Sequence, residues 1–305
     1  MRIGLALAAA LTLPGFAMAA EPDGEQTVQG SPDHAATASD NSSGDSPWYS
    51  RLPFLAEEAR KRGHELPLPF GAALVLTGLD GRKIEVTDTR IALEDNPGQS
   101  ISNFVDLGST SQVFNANLKF DTWVLPFLNL YALVGYVHNN STTHAHVTVL
   151  PGAEGHETDI DTELDGIVGG VGVTLAGGYK QFFAVADYNY NKAGLGFDEN
   201  FTAKIASLRG GWMGKVGSKP VQLWLGVGDW DTAATAKGHG TLDNGMRFSF
   251  EADQRPKTNW MYDIGSQIEF SKSFQLVIDV GTDFDGGYLF VLAPTYRFPA
   301  SAGRR

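Results

Sequence analysis

The chain has 305 residues, a formal charge of −12, 36 Gly, 18 Phe and no Cys. The acidity argues against nucleic acid or another polyanion as the main partner. The missing Cys excludes both a disulfide scaffold and a lipid-modified N-terminal cysteine.

Residues 1–20 read as a secretory signal peptide: Arg2, an apolar run from Ile3 to Leu13, then Ala17-Met18-Ala19 before a cut after Ala19 or Ala20. Residues 21–46 hold almost nothing apolar and form an expected disordered leader. Residues 47–66 place Trp48, Leu52, Phe54 and Leu55 before Ala56-Glu57-Glu58-Ala59-Arg60-Lys61-Arg62, with Gly63 as a stop. That pattern predicts a short helix, docked at the periplasmic end of the fold that follows or inserted into its interior.

From about residue 67 to Phe298 the apolar period is two. Phe114, Ala116, Leu118 and Phe120 alternate with Asn115, Asn117, Lys119 and Asp121, and similar runs surround Tyr188, Tyr262 and Leu276. Alternation gives a sheet two unlike faces. Runs of about 10 to 13 residues suit tilted membrane strands better than globular ones. Tight turns near Pro126, Tyr179-Lys180, Gly217-Ser218 and Lys272 alternate with polar connections near residues 78–108, 139–163, 193–200 and 231–257. This asymmetry is that of an outer-membrane barrel, with the apolar face toward lipid and the polar face toward the lumen.

The expected fold is therefore all-β: a closed antiparallel transmembrane barrel of about ten strands, with eight to twelve allowed. Strands are placed at about 68–78, 109–124, 129–149, 164–176, 181–192, 201–216, 220–231, 257–271, 273–283 and 287–298. The weaker alternation at 80–93 and 245–252 predicts strands projecting above the membrane. Pro294, which cannot donate to a ladder, predicts a bulge in the closing strand. Tyr296 and Phe298 end that strand as an aromatic assembly signal, followed by a tail at 299–305.

The run Asp121-Thr122-Trp123-Val124-Leu125-Pro126-Phe127-Leu128-Asn129-Leu130-Tyr131, with Gly135 and the entry Leu66-Pro67-Leu68-Pro69-Phe70-Gly71, resembles an uncharacterised family of Gram-negative outer-membrane β-barrel proteins. The resemblance implies barrel geometry and carries no chemistry.

Three constellations are candidates for function. The lumen face gathers Lys119, Asp121, Asp187, Arg209, Asp263, Glu269, Asp279 and Arg297, as a paired polar core or as a pore lining. Ten strands leave a narrow interior, which favours the core. His138, His144 and His146 stand near Ser141, Thr142 and Thr143; His144 and His146 share a strand face and a metal is conceivable there, but no triad spacing is present. The acids Glu154, Glu157, Asp159, Asp161, Glu163 and Asp165 read as a solvated loop open to divalent cations. Gly169-Gly170-Val171-Gly172 lacks the following helix of a nucleotide site.

The expected protein is a non-enzymatic outer-membrane barrel without a cofactor, catalytic residue or assigned metal. Its expected partners are membrane lipid, lipopolysaccharide, the barrel-assembly machinery and cations at the acidic loops. A narrow solute channel and a lipid-modifying enzyme are the alternatives.

Overall fold

The computed structural model describes residues 51–62, 65–93, 99–100, 105–147, 156–195, 199–241 and 247–300. The expected signal peptide, the 21–46 leader, Gly63 and the tail beyond residue 300 lie outside the described residues. Among the described residues one helix, α1 (Ala56–Lys61), precedes twelve strands. These are β1 (Phe70–Leu93), β2 (Gln99–Ser100), β3 (Val105–Leu125), β4 (Leu128–Val147), β5 (His156–Tyr179) and β6 (Phe182–Leu195). They continue as β7 (Glu199–Val216), β8 (Lys219–Thr241), β9 (Arg247–Pro256), β10 (Trp260–Ser271), β11 (Phe274–Thr282) and β12 (Tyr288–Phe298).

Ten strands close the barrel in the order β1-β3-β4-β5-β6-β7-β8-β10-β11-β12, and β12 pairs back onto β1. Every pairing is antiparallel. Alternation sets the two faces: Val113, Asn115, Asn117, Lys119 and Asp121 are buried, whereas Phe114, Leu118 and Phe120 are exposed. Leu130, Val134, Val171, Leu175, Leu208, Leu223, Leu225 and Ile264 extend the outward apolar band around the wall. A patch of this size is unsustainable in water and is the lipid-facing belt of a membrane barrel. Exposed aromatics rim it at both ends. Phe127, Tyr179, Phe182, Phe274, Tyr296 and Phe298 mark the short-turn end, and Phe114, Tyr136, Trp260, Tyr262, Phe284 and Tyr288 the other.

The two ends differ in construction. At one, two-residue turns join β3 to β4, β5 to β6, β7 to β8 and β10 to β11. At the other, β1, β3, β4, β5 and β8 run beyond the belt, and β9 joins them. β1 pairs with β12 up to Asp80↔Tyr288, is irregular between Leu79 and Arg82, and pairs with β9 from Ile84↔Pro256 to Leu93↔Phe248. β9 also pairs with β8, so above β10, β11 and β12 a single strand completes the wall. Of the two weakly alternating segments, residues 89–93 of the first and 248–252 of the second are thus partners of one another. Below β9, the β11–β12 turn is fastened by Asp285 to Lys83 at 3.1 Å and Lys257 at 3.3 Å. The two ammonium groups, Lys83 first, hold the Asp285 carboxyl below the usual carboxylate range.

Three expectations need correction. The connection at 139–163 is largely paired strand, since β4 reaches Val147 and β5 starts at His156. Glu157, Asp159, Asp161, Glu163 and Asp165 accordingly stand on β5 and not in a loop, while Glu154 is outside the described residues. A charged sequence can remain a strand where both faces meet water and the partner ladder is continuous. Pro294 makes no bulge: its pairing with β11 runs through in register. The missing donor shows instead on the β1 side, where the ladder skips from Ala73↔Thr295 to Leu76↔Leu292 at constant register.

α1 buries none of its residues. Leu52, just ahead of it in the chain, is buried, and Phe54 N donates to Val124 O at 2.9 Å. Leu55, Glu58 and Ala59 face Pro126, Phe127 and Gly177-Gly178 across a cleft, so the helix sits at the short-turn rim and not in the lumen.

The closing seam pairs Phe70 with Phe298, their rings stacked at 5.7 Å. Phe298→Ala removes this contact and the terminal aromatic, and should lower the amount of folded barrel in cells. Deleting residues 299–305 should leave assembly nearly intact. Surface proteolysis and heat-modifiable gel migration of both variants check this; loss of assembly from the tail deletion alone would move the end of the barrel beyond Phe298.

Candidate functional site

The eight residues read from sequence as lumen-facing come from six strands. Lys119 and Asp121 lie on β3, Asp187 on β6, Arg209 on β7, Asp263 and Glu269 on β10, Asp279 on β11 and Arg297 on β12. Seven are buried, with Asp279 at 0%, Arg297 at 1% and Lys119 at 2% exposure, and Glu269 is half-buried.

Three clusters organise them. Arg297 donates from Nη2 to Asp121 Oδ1 at 2.9 Å and from Nε to Leu68 O at 3.0 Å, and Asn129 Nδ2 donates to the same Asp121 oxygen at 2.7 Å. Asp187 accepts from the Tyr131 hydroxyl at 2.8 Å, the Thr174 hydroxyl at 2.6 Å and Asn189 Nδ2 at 3.2 Å. Lys119 Nζ stands 4.1 Å from the centroid of the Tyr131 ring. Arg209 donates from Nε to Asp263 at 3.1 Å and lies 3.6 Å from Asp279, which also accepts from Trp224 Nε1 at 3.3 Å. Charges this deep are tolerable only when paired and hydrogen-bonded.

A glycine on the intervening strand makes these reaches possible. Gly71 on β1 is opposite both Asp121 on β3 and Arg297 on β12. A methyl at Gly71 would overlap the Asp121 carboxylate, so the ion pair closes over a strand that offers it no side chain. Gly226 on β8 stands in the same way between Arg209 on β7 and Asp263 on β10. The Trp224–Asp279 bond likewise passes over Gly265. Neither spacing nor composition exposes this device, because it depends on register across three strands.

The histidine region divides by face. Ser141 is buried on the interior side, whereas His138 and Thr142 are half-exposed on the other. Odd and even positions point oppositely on a strand, so Ser141 and His138 do not form a nucleophile–base pair. His138 lies instead opposite Asp165, with Nδ1 2.7 Å from its Oδ1. The Tyr136 hydroxyl donates to the same oxygen. Asp165 stands just above the apolar belt; this hydroxyl, then His138, holds its carboxyl below the usual range. Glu163 completes a group with His138 and Asp165 whose ligand atoms lie within 4.8 Å of one another. The register sets His144 opposite Asp159 and His146 opposite Glu157. Strand periodicity puts His144 and His146 on one face of β4, but the group drawn together across strands is His138 with Glu163 and Asp165.

An apolar belt between aromatic rims, a polar paired interior and asymmetric ends define an outer-membrane-type β-barrel. No family model matches the chain, and no curated protein matches it either. Solved structures of bacterial outer-membrane barrels do match. The transport unit of the autotransporter AIDA-I from Escherichia coli is 13% identical over 75% of this chain and 90% of its own, with a TM-score of 0.37. The toluene transporter TbuX of Ralstonia pickettii is 12% identical over 76% and 90%, with a TM-score of 0.33. Ail, the attachment invasion locus protein of Yersinia pestis, is 13% identical over 75% and 99%, with a TM-score of 0.23. These are likenesses of barrel architecture.

Proposed function

We propose that this protein is a non-enzymatic integral barrel of the Gram-negative outer membrane. Its short turns face the periplasm, its interior is a structural polar core and not a conduit, and its extended strands present an acidic wall to the lipopolysaccharide layer. One observation carries the reading: the carboxylates of Asp121, Asp187, Asp263 and Asp279 are each bonded along the inner wall to a side chain two strands away and are nearly excluded from solvent. A conducting pore keeps its charges hydrated, whereas these have exchanged water for one another. The non-enzymatic reading is supported by the separation of Ser141 and His138 onto opposite faces.

Planar-bilayer recording of the refolded protein tests it. The expected result is no steady ohmic conductance. A stable, ion-selective current would establish the narrow-channel alternative and reduce the interior network to a pore lining.

A further inference from the structure

We propose that His138, Glu163 and Asp165 form a site for one zinc-type divalent cation on the outer surface of the barrel wall. The inference needs only the folded wall and is independent of whether the interior conducts.

The chemistry of the donors selects the ion. One imidazole nitrogen and two carboxylate oxygens approach within 4.8 Å of one another. Calcium and magnesium favour shells made of oxygen alone, and soft ions favour sulfur. A mixed nitrogen and carboxylate set suits zinc and its neighbours, with bonds of about 2.0 to 2.2 Å. Ligands at that distance from a tetrahedral ion stand about 3.4 Å apart, so the 2.7 Å contact of His138 with Asp165 opens slightly as the ion enters and the other donor separations stay within the 4.8 Å already reached.

The backbone already holds the group together. β4 and β5 pair without interruption from Leu128↔Leu175 to Val147↔His156, so the wall fixes His138 against Asp165. Glu163 lies two residues from Asp165 and opposite Asn140, on the same outward face. Tyr136 donates its hydroxyl to Asp165, an outer contact of the kind that orients a ligating carboxylate. His138 is half-buried and both acids are exposed, so three protein ligands leave a coordination position open to water. The site lies just beyond the apolar rim marked by Tyr136 and Ile167, where an ion is not desolvated by lipid.

The simpler account of the same atoms is an ion pair between His138 and Asp165 that Glu163 merely adjoins. Calorimetric titration of the folded full-length barrel in detergent with zinc chloride separates the two. The expected result is one zinc per barrel, with affinity reduced at least about tenfold in His138→Ala and in Glu163→Gln. The double variant His144→Ala/His146→Ala should keep the affinity, and equimolar calcium should not compete. Heat-modifiable migration of each variant verifies that it is folded. Absence of zinc binding by the unaltered protein would overturn the proposal. So would binding unchanged in His138→Ala, binding that follows His144 and His146, or displacement by calcium.

Discussion

Arg209→Met should lower the stability of the barrel by about 3–5 kcal/mol, the range for removing one partner of a buried ion pair. Arg209 has 6% side-chain exposure, and its two carboxylates, Asp263 and Asp279, have 4% and 0%. Methionine fills most of the space the aliphatic stem occupied, so the lost packing is small. What remains is two carboxylates facing each other in a packed interior, without a cation and without room for hydration. The triple variant Arg209→Met/Asp263→Asn/Asp279→Asn should recover a large part of the loss, because neutral amides can bond to one another and to Trp224. Reversible urea unfolding in lipid vesicles, followed by tryptophan fluorescence, measures both. A loss below about 1 kcal/mol is the range of a solvated surface pair. It would mean that water reaches Asp263 and Asp279, and with it the closed-core reading would fall.

The alternation that predicts the barrel is local, and each strand carries it independently. Phe114 with Asn115, or Leu276 with Gln275, therefore assigns faces without knowledge of any partner. The interior bonds are different. Arg297 meets Asp121 only because Gly71 stands between them in register, and Arg209 meets Asp263 only over Gly226. These pairs are 176 and 54 residues apart, and no periodicity links positions at such separations. The His138 cluster was hidden for the same reason. Its acids, Glu163 and Asp165, come from 25 and 27 residues downstream and meet His138 through a long hairpin. The acidic run reads as loop by its charge, yet Glu157, Asp159, Asp161, Glu163 and Asp165 alternate with period two. That period was the legible sign of β5. Charge composition points the other way, because strands with both faces wet are uncommon in globular proteins, whereas a barrel that rises above its membrane provides them.

Leu225→Arg should cost about 2–4 kcal/mol of folding free energy in a lipid bilayer, the range for Arg at the midplane of a barrel's outer face. Leu225 is 67% exposed and stands on β8 between Leu223 and Val227, midway from the Lys219 turn to Asp229 above the belt. Its neighbours along the strand, Trp224 and Gly226, belong to the interior clusters, so the outward face is fixed by contacts on the other side of the wall. An Arg at this height must either carry its charge into hydrocarbon or bend its stem toward a rim about 10 Å away, and it does so next to no compensating acid. Ala233→Arg is the matched control, on the same strand and face but above the belt, where the cost should be about 0–1 kcal/mol. An Arg at Gln275 is unsuitable as a control, since Gln275 has 2% exposure and accepts from Gln267 at 3.3 Å in the packed interior, where the larger side chain would overfill its site. Folding into lipid vesicles across a urea series gives both values. Equal costs at Leu225 and Ala233 would mean that the band holding Leu223, Leu225 and Ile264 does not face lipid, and the barrel would have to be turned inside out or taken out of the membrane.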